Sequence, residues 1–336
     1  MKRNYTIDTL RTVATFLVIL LHASTDYVTR GLNNKTFDLS FWIGNLVDSF
    51  SRICVPLFVL ISGMFLIGRN ESFKQSYTKR ASRILIPLIS WSLIYLFYRG
   101  TLNYIDNNTF DLLTLAKSII IGMPFYHLWY LYMLIGLYLF VPILNNNISK
   151  ISRKNLWRLS FLLLIFGMLN TGYNLILGNA LIFFLWFLNY LGYFIIGYLI
   201  KGAKKRKSSS KLIILYITSC ILISILSFYT AKYFGSLYFY EYLSPFVIIA
   251  SLSIYTLFHQ VNLKENILSK ISHLTLGIYL VHAGVLDILC LIFIKFNINF
   301  LDNPIIGIPV KFAITLFLSL IMAYILNKNK YLKKII

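Results

Sequence analysis

Arg11 and His22 lie eleven positions apart in the first strongly apolar stretch of the chain. Eleven residues make close to three turns of α-helix, so the two side chains share a face, about 16 Å apart along the axis. Asp8 precedes them, and Asp26 follows one turn beyond His22. Ionisable groups are costly inside a membrane and are functional candidates wherever they occur there. A guanidinium at an entrance and a titratable imidazole deeper on the same face suit a large anionic donor whose reactive end reaches inward. His22 and Asp26 are the catalytic candidates, and Arg11 is a donor-binding one. A second reading keeps His22 as a polar group hydrogen-bonded across a helix bundle.

Four further groups carry potential chemistry. Asp48 and Arg52 stand at i, i+4 and can pair, either as a structural ion pair or as part of a site. Arg80 and Arg83 share a helical face next to a membrane entrance. Two guanidiniums there can clamp phosphates, or they can be a simple basic flank. His127 and Trp129 sit among aromatics in Pro124-Phe-Tyr-His-Leu-Trp-Tyr130, which reads as an interfacial belt or as a sugar-binding surface. Tyr279 and His282 are at i, i+3 in a late apolar run, with Asp287 beyond. His259 and His273 fall at span ends, where an interfacial histidine suffices as an explanation. The sequence has no phosphate-binding glycine loop, no dinucleotide fingerprint, no G-x-S-x-G elbow and no metal-ligand spacing. No metal and no permanently bound cofactor are expected.

These residues are embedded in apolar helices. Of 336 residues, 58% are hydrophobic and 13% charged, an excess that a soluble chain hides poorly. Runs of about twenty apolar residues give ten expected spans, at 8–28, 41–67, 84–99, 124–144, 157–177, 180–200, 212–231, 242–260, 274–296 and 305–327. An interfacial helix is expected near 112–121. The fold class is therefore an all-α polytopic membrane protein, read as a single domain over 1–336. Most Lys and Arg fall in alternate loops, which places both termini in the cytoplasm. Lys311 counts among the residues at the outer loops and helix ends. The net charge of +21 thus reports topology rather than nucleic-acid binding. The basic run 201–211 is a topology determinant that touches anionic lipid, with coenzyme A binding as the alternative. Cys54, Cys220 and Cys290 read as small hydrophobes, and no cleaved leader is expected.

Several motifs resemble those of the membrane acyltransferase 3 family. Ile7-Asp-Thr-Leu-Arg11 with His22 resembles its first-helix signature, and Ser51-Arg-Ile-Cys-Val-Pro56 through Ser62-Gly63 its second. Arg80-x-x-Arg83, His127-Leu-Trp129 and Leu276-Gly-Ile-Tyr279-Leu-Val-His282 follow in the family's order. The resemblance covers essentially the whole chain. Thr25-x-Tyr27-Val-Thr29, Trp42, Asn45, Ser49-x-Ser51-Arg52 and Phe125–Trp129 are similar to the subgroup that O-acetylates enterobacterial common antigen. Thr12 and Met64 depart from the usual pattern, away from the reactive groups. The resemblance implies acetyl-CoA or another acyl-CoA as co-substrate, and a cell-surface glycan or lipid-linked sugar as acceptor. It implies His22 as general base or acyl relay and Arg11, Arg80 and Arg83 as donor-binding groups. Asp48, Arg52, His127, Trp129, Tyr279 and His282 are acceptor-binding or structural. The expected location is the plasma membrane, in contact with lipid. Some members carry an extra hydrolase-like domain. None is seen here, so this chain is expected to act alone or with a separate partner.

The rival from another class is a transporter or flippase for a lipid-linked sugar, which intramembrane charges and Gly/Pro-containing helices also suit. No inverted repeat supports it. A membrane sensor has no effector domain to speak for it.

Overall fold

In the computed structural model the protein is all α: 84% is helical, with no strand among the described residues. The structure describes residues 3–69, 71–107, 111–177, 185–202 and 207–336. The helices are α1 (Tyr5–Asn34), α2 (Leu39–Ser51), α3 (Cys54–Leu66), α4 (Phe73–Asn107), α5 (Leu112–Ile120), α6 (Trp129–Ile148), α7 (Arg153–Leu177), α8 (Trp186–Lys201), α9 (Ser209–Phe234), α10 (Pro245–Gln260), α11 (Ile267–Ile271), α12 (Thr275–Lys295) and α13 (Pro304–Lys328). Among the described residues, nine helical segments are long and apolar enough to cross a membrane. They match nine of the ten expected spans. The tenth, 180–200, runs over 178–184, which lie outside the described residues, and α8 carries the rest. Large apolar side chains such as Phe97, Ile176, Ile214 and Phe317 face outward. Helices apolar on their outer faces are what lipid requires, since only internally bonded backbone can cross it.

The first helix is the organising element. It packs against α2, α3, α12 and α13. Asn4 caps its start, accepting from the amide of Ile7, and Lys35 ends it in the left-handed conformation. Thr6 and Thr12 donate to the carbonyls of Val261 and Leu268, tying its first turns to the segment before α12.

The expected span 41–67 is not one continuous helix. It breaks at Arg52–Ile53, between α2 and α3. Pro56 has no amide to offer the Arg52 carbonyl four residues back, and its ring crowds that oxygen. The break falls at one of the candidate residues. Beyond it, α3 meets α8 at very short range. A Cβ on Gly63 would lie 1.8 Å from the Phe194 carbonyl oxygen, and one on Gly197 would lie 2.0 Å from that of Leu60. Glycine at both crossings lets the backbones touch, the usual way helices associate in lipid.

Candidate active site

Among the described residues, the candidate side chains gather at two cavities, and α1 contributes to both. The first, about 790 Å³, is lined by Arg3, Asp8, Arg11, Ser62, Arg69, Glu71, Arg83, Tyr130 and Tyr279. Four arginines face two carboxylates, so this basic cavity suits an anion. Asp8 bridges Arg3 at 3.0 Å and Arg11 at 3.6 Å. Arg83 has no ion-pair partner among the described residues. Arg80 lies on the same helix, α4, but its side chain is outside the described residues.

The second cavity, about 1250 Å³, is lined by His22, Asp26, Arg30, Arg52, Tyr126, Trp129, Trp186, Asn189, Glu241, Tyr242 and Asp287. Its walls combine broad aromatic faces with a few polar groups, as small-molecule sites do. Trp129 is the first residue of α6 and stacks on Tyr242, with ring centroids 5.8 Å apart.

His22 stands at the boundary between the cavities. Its ring meets Tyr126 edge-on at 4.8 Å and stacks on His282 at 5.5 Å. His282 is fully buried, 5.6 Å from the Tyr279 ring and 5.1 Å from the His127 ring. Tyr279 in turn lines the basic cavity and donates its hydroxyl to the His127 carbonyl. Three rings, His282, His127 and Tyr279, therefore stand as a partition between His22 and the arginines of the basic cavity. The His282 Nδ1 lies 2.5 Å from the Tyr279 carbonyl. A carbonyl only accepts, so Nδ1 carries a proton and donates it to that oxygen. Among the described residues, the Nε2 of that ring has no hydrogen-bond partner, and neither does either ring nitrogen of buried His127. Buried polar atoms are nearly always satisfied, so orphans clustered beside a cavity point to function or to a bound group.

The Asp48–Arg52 pair forms as its spacing requires, with Nε 2.5 Å from a carboxylate oxygen. Thr25 donates to the other oxygen at 3.4 Å, and the guanidinium lies 4.2 Å from the Tyr240 ring centroid. Arg52 reaches the aromatic cavity while Asp48 is wholly buried. The Asp26 carboxylate binds the Lys311 ammonium at 3.0 Å. Lys311 itself is buried on α13, 4.9 Å from the Tyr27 ring centroid, so it is not the outer-loop charge its sequence position suggests. Among the described residues, no group of three metal-ligating side chains converges.

The structure thus gathers His22, Asp26, Arg52 and Trp129 at one cavity and Arg11 and Arg83 at the other, with His127, Tyr279 and His282 between. Sequence reasoning missed Arg3, Arg69 and Tyr130 in the basic cavity, and Trp186, Asn189, Glu241 and Tyr242 in the aromatic one. Arg69 reads as a loop cation. Glu241 sits at the edge of an expected span among four aromatics, Tyr238, Phe239, Tyr240 and Tyr242, where it reads as interface. Lys311 had a usable signal, since it falls inside the expected span 305–327.

Comparison with known proteins agrees with this architecture. A model of an acyltransferase domain, that of the acyltransferase 3 family, matches residues 4–327. Over 83 residues the chain is 32% identical to an amino-acid racemase of Enterococcus faecalis, a stretch that covers 24% of this chain and 12% of that protein. This chain therefore matches only a small part of that relative's length. No solved structure matches the chain. With the family model spanning nearly every helix that builds the two cavities, the chain belongs to the acyltransferase 3 family of membrane-bound acyltransferases.

Proposed function

We propose that the protein is an O-acyltransferase of the plasma membrane that moves an acyl group, an acetyl group in the simplest case, from acyl-CoA to a hydroxyl of a glycan or lipid-linked sugar. The basic cavity opens to the cytoplasm and takes the donor. The aromatic cavity takes the acceptor. The observation that carries this reading is the position of His22, on the acceptor cavity and one ring contact from the partition that closes the donor cavity.

Arginines suit the nucleotide and pyrophosphate of coenzyme A because a guanidinium offers paired donors to phosphate oxygens. In direct transfer the sugar oxygen attacks the thioester carbonyl carbon while His22 takes the hydroxyl proton. The C–S bond then breaks, and the departing sulfur receives that proton. In the covalent variant His22 first displaces the thiol and then yields the acyl group to the sugar. Either route requires the partition of His282, His127 and Tyr279 to open a path for the thioester. Asp26, bound to Lys311, and Arg52, bound to Asp48, are proposed to shape the acceptor side. A polysaccharide of the enterobacterial common antigen kind is the finer form of the acceptor proposal. Family membership favours the enzyme over a transporter.

The test is direct: purified protein in detergent, acetyl-CoA and a glycoside, with the ester followed by mass spectrometry. Ester formation together with release of free coenzyme A supports the reading. Tight acetyl-CoA binding without transfer to any hydroxyl removes it.

A further inference from the structure

We infer that the aromatic cavity is built for a sugar unit without an anionic group, and that Glu241 holds that unit's hydroxyls and turns away a unit that itself bears a carboxylate. Resting on the acyl-transfer reading, this names the acceptor class for the same cavity.

The argument begins with the charges. Three cations near the cavity are already committed: Arg52 to Asp48 at 2.5 Å, Arg30 to Asp302 at 2.9 Å and Lys311 to Asp26 at 3.0 Å. Two further carboxyl groups that line it, Glu241 and Asp287, have no ion-pair partner among the described residues, although the Arg52 guanidinium attracts Glu241 from across the cavity. Asp287 accepts the Tyr98 hydroxyl at 2.7 Å. Glu241 lines the cavity with no hydrogen-bond or ion-pair partner for its side chain among the described residues. The basic cavity across the partition has the opposite balance, four arginines against two carboxylates. One molecule therefore offers an anion-seeking cavity and an anion-repelling one, since like charges brought together disfavour the wrong ligand.

Glu241 is also well placed to grip a sugar. It sits on the turn between α9 and α10, where its amide donates to the Tyr238 carbonyl at 3.0 Å and its carbonyl accepts from the Ser244 amide at 2.9 Å. Both backbone groups are thus fixed, which orients the side chain. A carboxylate is an acceptor with two oxygens, so it takes two neighbouring hydroxyls at once. Trp129, Trp186 and Tyr242 line the same cavity and supply flat apolar faces for the C–H face of a sugar ring. An anionic sugar would have to bring its charge to Glu241 and Asp287, or take Arg30 or Arg52 from an existing partner.

The experiment compares three acceptors that differ at few atoms: methyl β-glucoside, methyl β-glucosaminide and methyl β-glucuronide, each with acetyl-CoA and the full chain in detergent. Sugar ester formation is measured as kcat/KM. The glucuronide is expected to be poorer than the glucoside by at least roughly tenfold. Glu241→Gln keeps the shape and removes the charge. It should narrow that gap to within about threefold, while acetyl-CoA affinity by calorimetry stays at the wild-type value and shows that the variant is folded. Equal use of glucuronide and glucoside by the wild type, or an unchanged gap in Glu241→Gln, overturns the proposal and leaves acyl transfer standing. No ester on any of the three, from wild type that binds acetyl-CoA, overturns it together with the acceptor reading.

Discussion

His22 and His282 stack their imidazole rings at 5.5 Å with 27° between the planes, although 260 positions separate them in the chain. The contact joins α1, which lines both cavities, to α12. Because the Nδ1 of His282 is committed to the Tyr279 carbonyl, that ring is held in place, and it supports His22 from behind.

His22→Ala should lower acyl transfer by at least about a hundredfold, the range for removal of a positioned acid or base. Acetyl-CoA affinity should stay near wild type, because His22 lines the other cavity. Ester formation and calorimetry on the same preparation check both halves. Retained transfer would take His22 out of the chemistry.

Arg83→Ala should raise the KM for acetyl-CoA roughly three- to tenfold with little change in kcat, since an arginine–phosphate contact positions the donor away from the reacting carbon. The same KM should rise with salt in the wild type and rise less steeply in the variant. A KM that ignores both the substitution and the salt would return Arg83 to a topological role.

Breaking the Asp48–Arg52 pair from one side should cost more than removing both partners. Asp48→Ala leaves the largely buried guanidinium without its carboxylate, at about 3–5 kcal/mol, whereas the Asp48→Leu/Arg52→Met double variant should lose clearly less. Thermal unfolding of the singles and the double in one detergent measures the difference. Additive losses would show that the pair contributes no coupling.

Gly63→Ala should destabilise strongly, because the added methyl meets the Phe194 carbonyl at 1.8 Å, and that backbone belongs to a packed helix. Overpacking of this kind costs about 1–3 kcal/mol or more. Gly172→Ala, whose nearest neighbour would be a Tyr238 ring atom at 3.7 Å, is the control and should leave the melting temperature near wild type. Equal melting temperatures for the two variants would mean that α3 and α8 can separate freely.

The membrane-spanning helices were legible because hydropathy over about twenty residues is a local property that lipid reads directly. Nine expected spans have their helix, and the short helix near 112–121 appears as α5. The Asp48–Arg52 pair was legible for the same reason, since i, i+4 spacing on one helix sets the distance. The break after α2 was also written locally, in Pro56, but hydropathy runs straight through it. The Arg11–His22 face was readable as a periodicity. What no local pattern contains is the partition between those two residues. His127 comes from the turn before α6, and Tyr279 and His282 come from α12. Only packing brings them onto α1. Lys311 shows the same limit from the other side: the expected span 305–327 puts a cation within a helix, and only tertiary contact with Asp26 makes it a buried partner. Glu241 was hidden because its meaning depends on which cations around the cavity already have partners. The sequence by itself determined which segments enter the membrane and which polar residues go with them. The tertiary structure decided which of those residues meet, because distances between side chains on different helices follow from packing and not from spacing along the chain.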